Sequence, residues 1–324
     1  MVFGLLSHLA MSTITMDRTF QFVPYGKSFQ SPNDQATISC DGRIPGGTTL
    51  ELTHWTDNET PVDLYADTST EMALKLDPTV LPNALVLNNH YDTDGVLSCW
   101  ACLHPQEARE YADLLRQGAE AGDFGEWSSD AGIKLDAIIE GIGREMGDDE
   151  AVAYQVIFEK LAHILQDLTC NNGDTYQEYW KNTMDKVNQE WRDFQSGKVS
   201  LEAITPKLIA CRSSQRISSF VLHRSMVSLG LWEEATRVLR INEKPNSEYS
   251  FEYEKVGHGW VQRLVTRRPS PSVDAKALVE ALKSPWKTGG ASGLVAICCT
   301  SKPVLTRPDQ VAKLLLQNDQ TIIS

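Results

Sequence analysis

Residues 88–98 read NNHYDTDGVLS, and they gather the side chains in this chain best suited to holding a cation. His90, Asp92 and Asp94 alternate, so an extended backbone would present all three on one face. Two carboxylates and an imidazole converging there repel one another unless a cation or a proton compensates. A hard divalent ion such as Mg²⁺ or Mn²⁺ suits the carboxylates, and the imidazole moves the preference toward Mn²⁺, Fe²⁺ or Zn²⁺. Gly95 lets the chain turn into a following helix, whose free N–H groups would favour an anion such as phosphate beside the metal. In that reading Asn88, Asn89, Gly95 and Ser98 line the substrate. A calcium loop counted from His90 starts on the wrong residue and needs a glutamate where Ala101 stands. Helix capping by an aspartate is the plainer alternative, but it leaves His90, Asn88 and Asn89 without a role.

Such a loop has to be carried by something rigid. Residues 84–87 (ALVL) form a near-continuous apolar run, the pattern of a strand buried on both faces of a parallel sheet. Residues 19–23 (TFQFV), 36–40 (ATISC) and 48–53 (TTLELT) are further short β-prone runs bounded by Pro, Gly, Asn and Asp. A helix is expected near 69–76, another over 96–103, and a third over 106–119 after Pro105. The polar loop then sits at the carboxyl end of a strand, where open α/β sheets bind ligands.

From 134 to 196 the apolar and aromatic residues recur at spacings of three and four, which predicts helices over 136–145, 150–168 and 175–194. Residues 237–242 and 249–253 flank a Pro-Asn-Ser turn and predict an antiparallel hairpin, with 260–266 as a third strand. Helices over 274–282 and 308–317 and a buried strand over 293–299 complete the chain. The fold class expected is therefore α/β. It comprises a leader over 1–16, a mostly parallel sheet region with the metal site over 17–130, a helical region over 131–230, and a smaller α+β region over 231–324.

Bulk properties bound the partners. The 324 residues carry a formal net charge of −13, which repels phosphate backbones and anionic membrane surfaces, so neither long nucleic acid nor a membrane is expected. The one dense basic run, 263–268 (RLVTRR), reads as a solvated strand face. Seven scattered cysteines argue for reduced thiols and a cytoplasmic location. Cys99 and Cys102 have CxxC spacing but read as core residues of the helix after the loop. No run approaches the length of a membrane span, and the chain lacks GxxxxGK[ST], GxGxxG and GxSxG loops.

The run HYDTDGVLS resembles the first motif of the DHH-type (RecJ-like) phosphoesterases, DYDxDGxxS after a hydrophobic strand. His90 stands at the leading ligand, Asp92 and Asp94 at the two aspartates, and Ser98 at the serine. The resemblance implies a two-manganese site that hydrolyses phosphoesters with a bridging water. It covers about a dozen residues, and no Asp-His-His triplet follows. Over the N-terminal half the chain is also similar to an uncharacterised, largely bacterial family. That similarity rests on Thr53-His54-Trp55, on Asp67 to Glu71, on the NNHYDTDG run, and on Ala121-Gly-Asp-Phe124. Without the triplet, other residues must complete a binuclear site. His54, at the end of a strand parallel to the one feeding His90, and Asp123 are the first candidates, with Asp67 and Glu71 behind them. His223, after a β-prone run at 217–222, is a candidate distal general acid.

The expectation is a metal-dependent hydrolase acting on a small phosphorylated substrate. Its metal ligands are His90, Asp92, Asp94, His54 and Asp123, and its catalytic groups are Asp92, Asp94 and His223. The runner-up is a non-catalytic protein that binds a metal or a phosphorylated metabolite. The sequence leaves a homodimer open.

Overall fold

The computed structural model describes residues 17–256, 265–268, 270–290 and 296–323. The first sheet comprises β1 (Thr19–Phe22), β2 (Thr37–Cys40), β3 (Leu50–Leu52) and β4 (Leu85–Asn88). All its pairs are parallel and its order is β1-β4-β2-β3. β2 and β4 are buried along their whole length; β4 does so with a near-continuous apolar run, whereas β2 buries Thr37 and Ser39 by hydrogen-bonding their hydroxyls to the Gly47 and Gly42 carbonyls. Being central neighbours, they deliver the loops that leave their carboxyl ends into one crevice.

Helices cover that sheet. α1 (Ser69–Lys75) starts in a capping box between Thr68 and Glu71. α2 (Thr93–Leu103) is buried over nearly its whole length. The helix expected after Pro105 is two, α3 (Pro105–Glu110) and α4 (Ala112–Phe124), interrupted at Tyr111, whose φ of −106° and ψ of 15° leave the helical region. Then come α5 (Asp130–Met146), which starts well before its predicted residue 136 because Ser129 caps it, and α6 (Glu150–Asn171) and α7 (Gln177–Gln195), both close to their predicted spans. None of the described helices is long and apolar enough to cross a membrane.

The second sheet starts earlier than the hairpin predicts. β5 (Ser200–Thr205) and β6 (Leu208–Ser213) pair antiparallel, and β6 then runs parallel to β7 (Arg237–Lys244). The expected hairpin is present as β7 and β8 (Glu248–Lys255). Between β6 and β7 the β-prone run at 217–222 instead turns helical from Ser219, at the start of α8 (Ser219–Ser228). Ser218 caps it by accepting the Val221 N–H, a local bond that outweighs the strand preference of the apolar residues. α9 (Ala275–Leu282), β9 (Trp286–Thr288), β10 (Ala296–Thr300) and α10 (Pro308–Asn318) follow. The full order is β5-β6-β7-β8-β10-β9. The leader and most of the strand expected over 260–266 lie outside the described residues, as do 293–295.

The period of two along β6 and β7 explains how the halves join. Ile209, Cys211 and Val238 pack with the helices of the first core, whereas Leu208, Ala210, Leu239 and Ile241 face a second core with Leu278, Leu282, Val311 and Leu315. The chain is thus an α/β fold with one parallel and one mixed sheet.

Candidate metal centre

β4 ends in Asn88, whose side-chain oxygen accepts the N–H groups of both Asn89 and His90 and so curls the loop. His90 then projects toward the end of β2. Its Nδ1–H donates to Asn89 Oδ1 at 2.9 Å, and Asn89 in turn donates to the Arg43 carbonyl at 3.1 Å. That anchoring leaves Nε2 facing Asp92 Oδ2 at 3.1 Å and Asp41 Oδ2 at 3.3 Å. His54, leaving β3, is held in the same way, with Nδ1–H donating to the Asp67 carbonyl. Its Nε2 faces Asp41 Oδ1 at 3.4 Å and Asp123 Oδ2 at 3.3 Å. A histidine whose Nδ1–H is tied to a carbonyl and whose Nε2 points at carboxylates has the orientation a metal ligand needs.

Asp41 is the residue sequence reasoning missed. It follows β2 in a Cys-Asp-Gly step that reads as an ordinary turn, yet its two oxygens face the two histidines separately. The ligand atoms fall into two groups, Asp41 with His54 and Asp94, and Asp41 with His90 and Asp92, each within 4.8 Å of one another. The signal that could have found it is topological: a strand parallel to and beside β4 must end at the same edge.

His90, Asp92 and Asp94 do not share one face of an extended segment, as their alternation predicts. The backbone is extended only as far as Asp92, the N-cap of α2, whose Oδ1 accepts the Gly95 N–H at 2.8 Å. Asp94 already lies in the helix, so it turns to the other group, where its oxygens accept the Ser69 N–H at 2.7 Å and the Thr70 N–H at 2.8 Å. Capping and clustering therefore coexist in Asp92. Asp123, near the end of α4, joins the inner group through His54.

Other expectations change. Ser98 is buried and donates to the Gly95 carbonyl, so it cannot line a substrate. Gly95 is required by crowding, because a Cβ there would lie 2.6 Å from Asn88 Nδ2 and 2.9 Å from the Tyr154 hydroxyl. Asn88 and Asn89 shape the loop and aim His90. Glu71 serves the α1 capping box, and the Asp67 carboxylate accepts from Val265, Thr266 and Arg267. His223 sits on α8, where its Nδ1 accepts the Trp127 N–H at 3.0 Å and its ring packs edge-on against Trp232. Burial and the nearby Arg267 push its pKa down to about 4. Among the described residues no contact joins it to the carboxylates, so the general-acid role is withdrawn. Within the basic run only Arg267 departs from a solvated face, being largely buried among carboxylates; Val265, Thr266 and Arg268 are exposed, and 263–264 lie outside the described residues.

The electrostatics follow from packing carboxylates together. Burial, with Asp92 and Asp94 beside it, raises the Asp41 carboxyl. Burial and the charges of Asp94, Asp41 and Asp92 push Asp123 well up. Asp136 on α5, which accepts a hydrogen bond from the Thr93 hydroxyl at 2.7 Å, is raised to about 6, chiefly by burial. Burial alone would lower His90, but Asp92 and Asp41 overcome it and raise the imidazole to about 11. Asp123 Oδ2 is buried with no hydrogen-bond donor. Excess buried carboxylate, Nε2 atoms aimed inward and mixed O/N donors fit one or two divalent ions.

A model of a family of unknown function, DUF6687, matches residues 18–312. The chain belongs to that family. The match spans both sheets, so the family is defined by the whole fold and not by the 88–98 loop alone. No curated protein matches this member of DUF6687.

Proposed function

We propose that the protein is a divalent-metal-dependent hydrolase, a phosphoesterase of small phosphorylated substrates, with Mn²⁺ as its preferred ion. The observation that carries this reading is Asp41, whose carboxylate is shared between the His54 and His90 groups as a bridging ligand would be. His90, Asp92 and Asp41 would hold an outer ion, and His54, Asp94, Asp123 and Asp41 an inner one. A pair of ions so held supplies activation of water and polarisation of a phosphoryl group. The chain's own part is positional. Asn89 and the Asp67 carbonyl fix both imidazoles, and burial keeps bulk water from the inner half. Substrate would enter where the side chains of Asp92 and His90 are 38% and 20% exposed.

The resemblance of the 88–98 loop to the DHH-type phosphoesterases supports the same chemistry, with His54 and Asp123 in place of the missing triplet. The net charge of −13 disfavours long nucleic acid and leaves small phosphoesters as the substrate class. The missing triplet favours a second reading, a non-catalytic metal- or phosphometabolite-binding protein. Purified protein analysed for bound metal and assayed with chromogenic phosphodiesters and monoesters, with and without Mn²⁺, separates the two. Mn²⁺-dependent turnover abolished by Asp92→Asn supports the hydrolase. Bound metal without turnover supports the binding protein, and no metal affinity at all refutes both.

A further inference from the structure

The basic run near residue 265 has a role that its charge alone does not announce. Arg267 is 12% exposed and reaches three carboxylates. Its Nε and one terminal nitrogen form a fork on Glu126 at 2.9 and 2.7 Å; that terminal nitrogen also meets Glu120 at 2.9 Å, and the other terminal nitrogen meets Asp67 at 2.9 Å. The neighbouring Val265 and Thr266 N–H groups and the Thr266 hydroxyl all donate to the same Asp67 carboxylate. Burial would raise that carboxyl, but these donors and Arg267 hold it below its usual range.

Each grip leads to an inner ligand. Asp67 is the residue whose carbonyl orients His54. Glu120 and Glu126 bracket Asp123 along and just beyond α4. Between them Phe124 lies under the Arg267 guanidinium at 4.6 Å, with its ring centroid 6.2 Å from that of His54. One side chain from the C-terminal part thus fixes two segments, one carrying the carbonyl that aims His54 and the other carrying Asp123. The outer group, His90 and Asp92, is held by Asn89 and the start of α2 and touches none of this.

We propose that Arg267, with Thr266, is the positioning residue of the inner metal position: it holds His54 and Asp123 at the spacing that a cation needs, and does not itself meet metal or substrate. The proposal rests on the metal reading above and is specific about which half of the site depends on Arg267. Groups that orient metal ligands typically govern affinity by about 10- to 100-fold.

The test is titration of the full-length protein with Co²⁺ and with Mn²⁺, following the Co²⁺ visible absorption bands, which report coordination geometry. Arg267→Lys keeps the charge but loses the fork, and Thr266→Val removes one donor to Asp67 as a milder change. Leu239→Ala, in the second core, serves as a destabilised control. The expected result is a weakening of one of two binding events by about 10- to 100-fold in Arg267→Lys, a smaller loss in Thr266→Val, and altered absorption bands for that event only. The control should unfold at lower temperature while binding both ions as wild type does. Wild-type affinities and bands in folded Arg267→Lys and Thr266→Val would overturn the proposal and leave the metal reading standing, as would an equal loss in Leu239→Ala. A wild-type protein that binds neither ion would overturn both.

Discussion

Replacing Asp41 by Asn should separate the stability of the fold from the capacity of the site. Asp41 Oδ1 accepts the Ser69 hydroxyl at 2.9 Å and Trp55 Nε1 at 3.3 Å, and an amide oxygen can keep both bonds. The new amide nitrogen would replace Oδ2, 3.3 Å from His90 Nε2. The change also removes one negative charge from a pocket shared with Asp92, Asp94 and Asp123. Lost ion contact and relieved repulsion oppose each other, so without metal the variant should be within about 1 kcal/mol of wild type, the scale of one ordinary hydrogen bond. Added metal should divide them. At a hundred times its Kd an ion contributes about 2.7 kcal/mol to the folded state. At roughly 2 °C per kcal/mol for a long chain, that raises the melting temperature of wild type by about 5 °C. Asp41→Asn removes a ligand from both groups, so its melting temperature should stay flat across a Mn²⁺ titration read by calorimetry. A variant that responds to Mn²⁺ as strongly as wild type would refute the bridging role. A variant many degrees less stable without metal would refute the balance of terms.

Other consequences are equally specific. Gly95→Ala should cost about 1–3 kcal/mol in urea unfolding, because its Cβ meets Asn88, Tyr154 and the Asp92 cap at 2.6–3.0 Å and the crowded loop has nowhere to move. Asn89→Ala should weaken the outer ion by about 10- to 100-fold in a Mn²⁺ titration, since it frees the His90 ring without removing a ligand. His223, held near 4 when folded against 6.5 when unfolded, takes up its proton more readily in the unfolded chain. Its contribution is therefore complete above pH 6.5 and lost as pH falls through about 4, with a ceiling of roughly 3 kcal/mol. His223→Gln should flatten that part of the pH–stability curve, and an unchanged curve would show that other groups dominate acid lability.

What was legible in the sequence depended on whether the signal was local. Of the parallel strands, β4 announced itself as an apolar run and the others as short β-prone runs closed by turn residues, and α5, α6 and α7 as three-and-four periodicity. The 88–98 loop stood out because its unusual residues are contiguous. His54 and Asp123 could be nominated from their strand end and glycine-rich loop, but not placed. Asp41 carries no local signal, because an aspartate before glycine is what a turn ordinarily contains. Only the neighbour relation of β2 and β4 gives it a partner. β5 and β6 were hidden for a related reason: β6 is buried on both faces, so its apolar run shows no alternation to set it apart from the helices before it. The strand preference of 217–222 lost to one hydroxyl at Ser218. Among the described residues of the basic run, Arg267 alone departs from the solvated face expected of it, because charge density says nothing about burial when the compensating carboxylates lie 141 to 200 residues away.

That last separation sets a timetable for the growing chain. Asp67 waits 200 residues for the guanidinium that neutralises it. At about 5–20 residues per second, synthesis leaves Asp67 exposed for roughly 10–40 s before Arg267 is even made. Throughout that interval the first sheet and its helices can assemble from local contacts while Asp67, Glu120 and Glu126 remain a hydrated acidic notch. The last third of the chain therefore acts as a late fastener, and a product truncated before residue 265 would keep the ligands but lack the piece that draws them together.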